Sequence, residues 1–255
     1  MPSGRKTLNR FQAAGLHFTI CLAIAAVTVT LMLALWYPGP LFEAAGGLGL
    51  LYLVVGVDVV LGPLLTLVVY KAGKRGMTFD LAVIAMLQVA ALAYGLYVVS
   101  LARPAYIVFI KDRFDLATAV DLSPQALAQA RDPQFRHLPW TGPRFVAADL
   151  PTDPRERQEI VMAAMAGMDL HQFPKTWVPY DARRKEVLAA AMTMERLRKA
   201  EPGSAPAADA WLKKTGRADE AVRALLLRTR FAWIVVLVDP ATAEPVQLVL
   251  GERIQ

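Results

Sequence analysis

Cysteine is almost missing from this chain of 255 residues: Cys21 stands alone. A disulfide framework is therefore excluded, and any exported part has to be held by core packing. Cys21 lies inside an apolar run, which makes it a small apolar filler rather than a reactive thiol. Chemistry-bearing patterns are scarce as well. His17, His137 and His171 share no metal-ligand spacing, and no phosphate-cradling glycine loop, Gly-x-Ser-x-Gly elbow or Gly-x-Gly-x-x-Gly turn occurs. The expectation is a protein that is not an enzyme, with no catalytic residue, no bound metal and no cofactor.

Charge is the other scarcity, and it is local. Three apolar runs, 16–36, 48–70 and 79–101, follow one another, and only Asp58 carries formal charge deep inside any of them. Each run has roughly 20 residues, enough to cross a hydrocarbon core as a helix. Beyond about Arg103 charges of both signs appear, and most of the 17 prolines lie there. The overall hydrophobic content of 55% thus averages two unlike parts. The reading is a membrane domain of three transmembrane helices over 1–103, followed over 104–255 by a periplasmic α+β domain with an antiparallel sheet.

Basic residues in short loops set orientation. Arg5, Lys6 and Arg10 precede the first run, and Lys71, Lys74 and Arg75 lie between the second and third. The loop 37–47 has no Lys or Arg, and Arg103 is a single contrary signal. The N-terminus is therefore expected in the cytoplasm and the C-terminal domain outside the cell inner membrane. A cleaved signal peptide is the alternative for the first run, but the run is long and ends in Trp36-Tyr37-Pro38 rather than in small residues. These cytoplasmic cations absorb the formal net charge of +6, so a nucleic-acid partner is not implied.

The middle run is the most informative. Gly49 and Gly56 are seven apart and share a helix face that admits a close neighbour. Asp58, Gly62 and Thr66 form a second stripe, and Pro63 removes the amide that would bond the Val59 carbonyl. An acidic group at this depth is costly and marks a candidate site. Thr28, Gln88 and, further out, Tyr94 are the polar residues at similar depth, and a Thr28–Asp58–Gln88 cluster reads either as structural glue or as a docking point for another membrane helix. Trp36, Tyr37, Pro38, Gly39 and Pro40 read as an aromatic anchor and rigid turn at the outer interface.

Past Pro104, β-rich runs predict strands over 105–110 and 114–120, and Ser123-Pro124 predicts a capped helix to about Ala130. Residues 131–154 read as an irregular connection. Asp153-Pro154 opens a helix, a second helix covers 182–199, and 201–206 is a break. Strands over 231–238 and 246–250 form a closing hairpin, and pairing between the Tyr106 and Phe231 runs is plausible. Met162, Met165 and Met168 read as helix core. The basic residues of 183–199 read as a solvated face.

Two stretches together resemble a known family. They are Leu35-Trp36-Tyr37-Pro38-Gly39-Pro40-Leu41-Phe42 and Gly56-Val57-Asp58-Val59-Val60-Leu61-Gly62-Pro63. With Phe79-Asp80-Leu81 and Ala102-Arg103-Pro104, they are similar to the TfpX/TfpZ type IV pilin accessory proteins. The resemblance is strong over about 8–115 and rests on length and layout beyond. It implies a non-enzymatic inner-membrane factor that assists pilin stability or assembly into pili and modulates retraction, with a type IV pilin and the lipid bilayer as partners. Gly49, Gly56, Asp58, Gly62 and Pro63 are then the candidate docking residues for the pilin helix. Self-association is left open. The alternative is a membrane-anchored periplasmic ligand-binding sensor, against which stands the lack of a cytoplasmic output domain.

Overall fold

The computed structural model describes residues 8–165 and 167–254. The N-terminal cations Arg5 and Lys6, used above for orientation, lie outside the described residues. The chain forms two compact units: a helical one over 1–34 and 47–100, and a sheet one over 35–46 and 101–255.

In the helical unit, α1 (Arg10–Leu35) and α5 (Met77–Ala102) are each 26 residues long. At about 1.5 Å per residue either exceeds the bilayer core. Little of either is buried, and large apolar residues such as Phe11, Val27, Phe79 and Val89 are exposed along them. Helices of this kind bury their backbone polar groups internally and present side chains to lipid.

The expected middle span departs from the reading. Among the described residues, two helices qualify as membrane spans by length and composition, not three. Residues 47–69 instead run through α3 (Gly47–Gly56), a π-helical turn (Val57–Leu61) and α4 (Gly62–Val69). The cause is local. Pro63 has no amide for the Val59 carbonyl, and the helix widens by one residue per turn where that bond is lost.

In the sheet unit the next elements are α2 (Leu41–Ala44), β1 (Pro104–Ile110), β2 (Arg113–Thr118), α6 (Pro124–Ala128), β3 (Arg144–Ala148), α7 (Pro154–Met165) and β4 (Trp177–Pro179). Then follow α8 (Arg184–Ala190), α9 (Met194–Ala200), α10 (Ala205–Thr215), β5 (Arg223–Arg228), β6 (Ala232–Val238) and β7 (Pro245–Arg253). The strands make one seven-stranded sheet in the order β4-β3-β1-β2-β5-β6-β7.

The sheet is mixed rather than antiparallel. β1 pairs with β3, and β2 with β5, in parallel, while the other neighbours are antiparallel. β1 and β6 are not neighbours, since β2 and β5 lie between them. The reason is visible in β1, which is buried at every residue. Ile107 and Phe109 enter one core cluster, while Tyr106, Val108 and Ile110 enter another. Likewise Ile234 and Val236 of β6 join the first cluster, and Val235 and Leu237 a third. Alternate residues of a strand point to opposite faces, so both faces of this sheet are covered.

Several local signals hold. Ser123 Oγ accepts from the Ala126 amide, Asp153 Oδ1 accepts from the Arg155 and Glu156 amides, and Pro124 opens α6. Others do not. β3 lies within the stretch read as irregular, the helix expected over 182–199 is two short helices, and α10 begins inside the expected break.

The loop between the first two apolar runs belongs to the sheet unit. Leu41 and Ala44 are fully buried in the first core cluster. The Ala44 carbonyl accepts from the Thr229 hydroxyl at 2.8 Å and from the Phe231 amide at 3.3 Å, and Arg253 pairs with Glu43. Gly46 has φ +76, and a Cβ there would run into the Phe231 ring, so both backbone and space require glycine.

Candidate functional site

A polar layer crosses the helical unit. Asp58, on the π turn, is 8% exposed. From α5, the Gln88 amide nitrogen donates to the Asp58 carbonyl at 3.1 Å and to Cys21 Sγ at 3.3 Å. About two turns on from Asp58 along the chain, Thr66 Oγ1 lies 2.6 Å from His17 Nδ1. Cys21 is itself buried. His17 and Cys21 are four residues apart on α1, as are Gly62 and Thr66 on α4, so each pair shares a helix face.

The layer is not closed. Asp58 Oδ1 and Gln88 Oε1 are buried and have no hydrogen-bond partner among the described residues. Beside them lies a cavity of about 150 Å³ lined by His17, Cys21, Asp58 and Gln88, with Ile24 and Leu92 on its apolar walls. Buried polar groups are normally satisfied, and an acidic one in apolar surroundings all the more so.

The candidate residues fall into two sets. Asp58, Gly62 and Pro63 are buried and face inward, and a Cβ on Gly62 would strike the Gln88 amide. Gly49 and Gly56 face open space, with nothing within 4 Å of an added Cβ. Gly56 and Asp58 are two residues apart, and such pairs do not share a helix face. Of the expected polar cluster the structure unites Asp58 with Gln88. Thr28 is half-buried, Tyr94 is 68% exposed, and neither is among the residues lining the cavity. His17, Cys21 and Thr66 complete the layer instead. The four-residue spacing of His17 and Cys21, which puts both on one face of α1, is the sequence signal for this layer.

In the loop after α1, Gly39 has φ +62 between its two prolines, as a tight turn requires. The aromatics divide. Trp36 is half-buried with the Arg103 guanidinium 5.9 Å over its ring. Tyr37 is 2% exposed and meets Phe42 edge-on at 5.7 Å, so it is a core residue rather than an interface anchor. Burial pushes the Tyr37 hydroxyl up to about 12, against the opposing charge of Arg103.

The sheet unit has a polar cluster of its own. Asp115, Asp169 and His171 bring ligand atoms within 4.8 Å of one another, a convergence that sequence spacing alone conceals. The donor set does not suit a metal ion, because the space is already taken by a cation. Arg228 pairs with Asp115 at 2.9 Å and with Asp169, and Arg113 reaches Asp115 at 3.2 Å. Burial works against the Asp169 carboxylate. The Arg228 hydrogen bond, the Leu170 amide and the charges of Arg228 and His171 nevertheless hold it below its ordinary value. Burial also holds the His171 imidazole below its usual value, over the contrary pull of Asp115, Asp169 and Asp121. The cluster is an ion-pair network that ties β2 and β5 to the turn after α7.

The methionines overturn their reading as core. Met162, Met165 and Met168 are exposed together with Val161, and in α7 the buried residue is Ile160.

Fold and polar layer together define a membrane protein in which an apolar helical unit with one unsatisfied acidic site accompanies a mixed-sheet domain. Comparison with known proteins narrows this class. The family model described as fimbrial assembly protein FimB matches residues 5–46. A fimbrial assembly protein of serogroup I from Dichelobacter nodosus is 33% identical over 215 residues, covering 84% of this chain and 78% of that protein. One of serogroup E1 from the same organism is 31% identical over 219 residues, covering 85% and 80%. A third, of serogroups C1 and C2, is 35% identical over 119 residues, covering 46% and 91%. The chain belongs to the FimB family of fimbrial assembly proteins. No solved structure matches it.

Proposed function

We propose that this protein is a non-enzymatic inner-membrane factor that assists type IV pilin in its assembly into pili, holding the subunit through contacts on both units. The observation that carries the reading is the buried, unpartnered Asp58 Oδ1 beside an open cavity in apolar surroundings. In hydrocarbon, such an acceptor is stabilised by a donor from a partner helix. The relatives named as fimbrial assembly proteins support a pilus subunit as that partner.

In this reading, residues 47–69 act as a third, segmented crossing. The 23 residues of α3, the π turn and α4 run on without interruption, and roughly 1.5 Å per residue gives them bilayer length. The N-terminus and the loop with Lys71, Lys74 and Arg75 then lie in the cytoplasm, and the sheet unit lies in the periplasm. A pilin's apolar helix packs in the bilayer along the open Gly49 and Gly56 face, where small residues permit close approach. A donor from the same subunit reaches Asp58 from the cavity side. The pilin head meets the exposed methionine face of α7, because flexible thioethers adapt to varied apolar partners.

In-cell photocrosslinking from positions 56 and 165 tests both contacts, with Asp58→Asn and Gly56→Leu scored for surface pili. The expected result is pilin captured from both positions, and fewer pili in both variants at an unchanged level of this protein. Normal piliation in both variants, with no pilin captured, would overturn the reading.

A further inference from the structure

We infer that the sheet unit carries a lipid-binding foot, formed by the Trp140 loop and Val120, that rests in the headgroup zone of the bilayer. The inference rests on the reading that α1 and α5 cross the membrane. Trp140 is 83% exposed and Val120 is 64% exposed. An exposed tryptophan of this degree is costly in water but suited to the bilayer interface, where an apolar ring with one N–H donor finds both of its preferred surroundings.

Both residues are tied by backbone hydrogen bonds to the ends of the spanning helices. The Gly142 amide, two residues past Trp140, donates at 2.6 Å to the carbonyl of Leu35, the last residue of α1. The Ala119 amide, next to Val120, donates at 2.9 Å to the carbonyl of Arg103, the residue after α5. Leu35 and Arg103 close the two helices where they leave the hydrocarbon, so the groups bonded to them sit at the same depth. The two attachments are independent, one on each helix.

Charge around the Trp140 loop agrees with an anionic lipid surface, and Asp121, next to Val120, is engaged by the Thr118 amide and hydroxyl. Between Asp132 and Asp149 the chain has no acidic residue, while Arg136 and Arg144 flank the Trp140 loop and are exposed. Cations beside an interfacial aromatic are drawn to anionic headgroups. At the opposite end of β1, the turn holds Lys111 and Asp112, roughly 20 Å along the strand from Arg103. Within the sheet unit, Leu35 and Arg103 thus share one end with the Trp140 loop and Val120, and Lys111 and Asp112 lie at the other end of β1.

The test uses the full chain in nanodiscs of phosphatidylethanolamine with a minority of phosphatidylglycerol, in a Cys21→Ser background whose hydroxyl can still accept from Gln88. Spin labels go on Trp140→Cys and Val120→Cys, with Val27→Cys as the hydrocarbon reference and Asp112→Cys as the water reference. Collision with oxygen is compared with collision with a water-soluble nickel chelate. The oxygen-to-nickel collision ratio at 140 and 120 should fall between the high value at 27 and the low value at 112. A ratio at 140 and 120 equal to that at 112 would overturn the inference, and so would shielding from both quenchers, which would mean that protein covers the patch. If position 27 also reads as water, the membrane reading has failed rather than the foot.

Discussion

The two units hold their buried carboxylates in opposite ways. In the sheet unit, Asp115 is 1% exposed and held by two arginines, and Thr229 bonds the Ala44 and Ala232 carbonyls. Thr176 donates to Phe173, and Ser204 accepts from the Glu252 amide. In the helical unit, Asp58 and Gln88 each keep an oxygen that finds no partner among the described residues. The sheet unit neutralises its buried carboxylate internally and buries apolar side chains on both faces, although His171 Nδ1 and Trp177 Nε1 have no hydrogen-bond partner among the described residues. The helical unit turns its apolar side chains outward and retains an acid with no partner among the described residues, which is the feature on which the proposed docking rests.

The sharpest way to break this contrast is to remove the piece of scaffold that the membrane loop lends to the sheet. Leu41 is fully buried, so Leu41→Ala should cost the sheet unit about 4 kcal/mol by loss of burial and by the cavity left behind. Pulse proteolysis in detergent would report it as early cleavage within 104–255, while α1 and α5 stay protected. No change in cleavage would mean that the loop merely rests on the sheet. Next in size is Arg228→Ala. It strips one of two cations from the buried Asp115 and the main partner from Asp169, at about 2 kcal/mol since Arg113 remains and Arg228 is itself a third exposed. The same protease assay, with Arg113→Ala as the milder comparison, measures it.

A smaller effect distinguishes the units by pH. Because burial keeps His171 below its ordinary value of 6.5, the unfolded chain binds a proton that the folded chain refuses. The stability so contributed is whole above about 6.5 and is lost as pH falls from there through the lower folded value. Asp169, also held below its ordinary 3.8, acts in the same sense in more acid solution. Thermal unfolding of the sheet unit should therefore move to lower temperature between pH 7 and 5, and His171→Asn should flatten that slope. An unchanged slope would show that Asp115, Asp121, Asp169 and Arg228, which surround the ring, cancel its titration.

Much of this was readable from the residues, and the failures share a cause. Apolar runs, helix caps and the closing hairpin are local signals, and they placed α1, α5, α6, α7, β6 and β7. The middle run contained its own disruption at Pro63, but whether a helix breaks or widens there depends on packing. β3 was missed because it lies in a stretch rich in Pro, Asp and Gly, and β5 because its leucine run between arginines has no β-branched or aromatic residue. The mixed topology follows from long-range pairing that no local pattern encodes. Asp58 was legible as a candidate because charge in hydrocarbon is rare. Its neighbours His17 and Cys21 were not, since each is unremarkable until α1 is laid against α4 and α5. The methionines were misjudged for a related reason: three-residue spacing marks a helix face without saying whether that face is covered.

The finest test separates the two glycine sets in the helical unit. Gly62 abuts the Gln88 amide, so Gly62→Ala must push aside the group that bonds Cys21 and the Asp58 carbonyl. Lost bonds of about 1 kcal/mol each outweigh the helical preference of alanine, and thermal stability in detergent should fall slightly. Gly49 and Gly56 meet nothing, so alanine at either should leave stability level or raise it by about 0.5–1 kcal/mol. Piliation gives the second axis. If the open face receives a partner helix, Gly56→Ala weakens pilin capture while the protein itself is no less stable, a combination that internal packing cannot produce. If instead capture is unchanged at Gly49 and Gly56 and falls at Gly62, the partner engages the acid through the cavity alone, and the small-residue face merely lies against lipid.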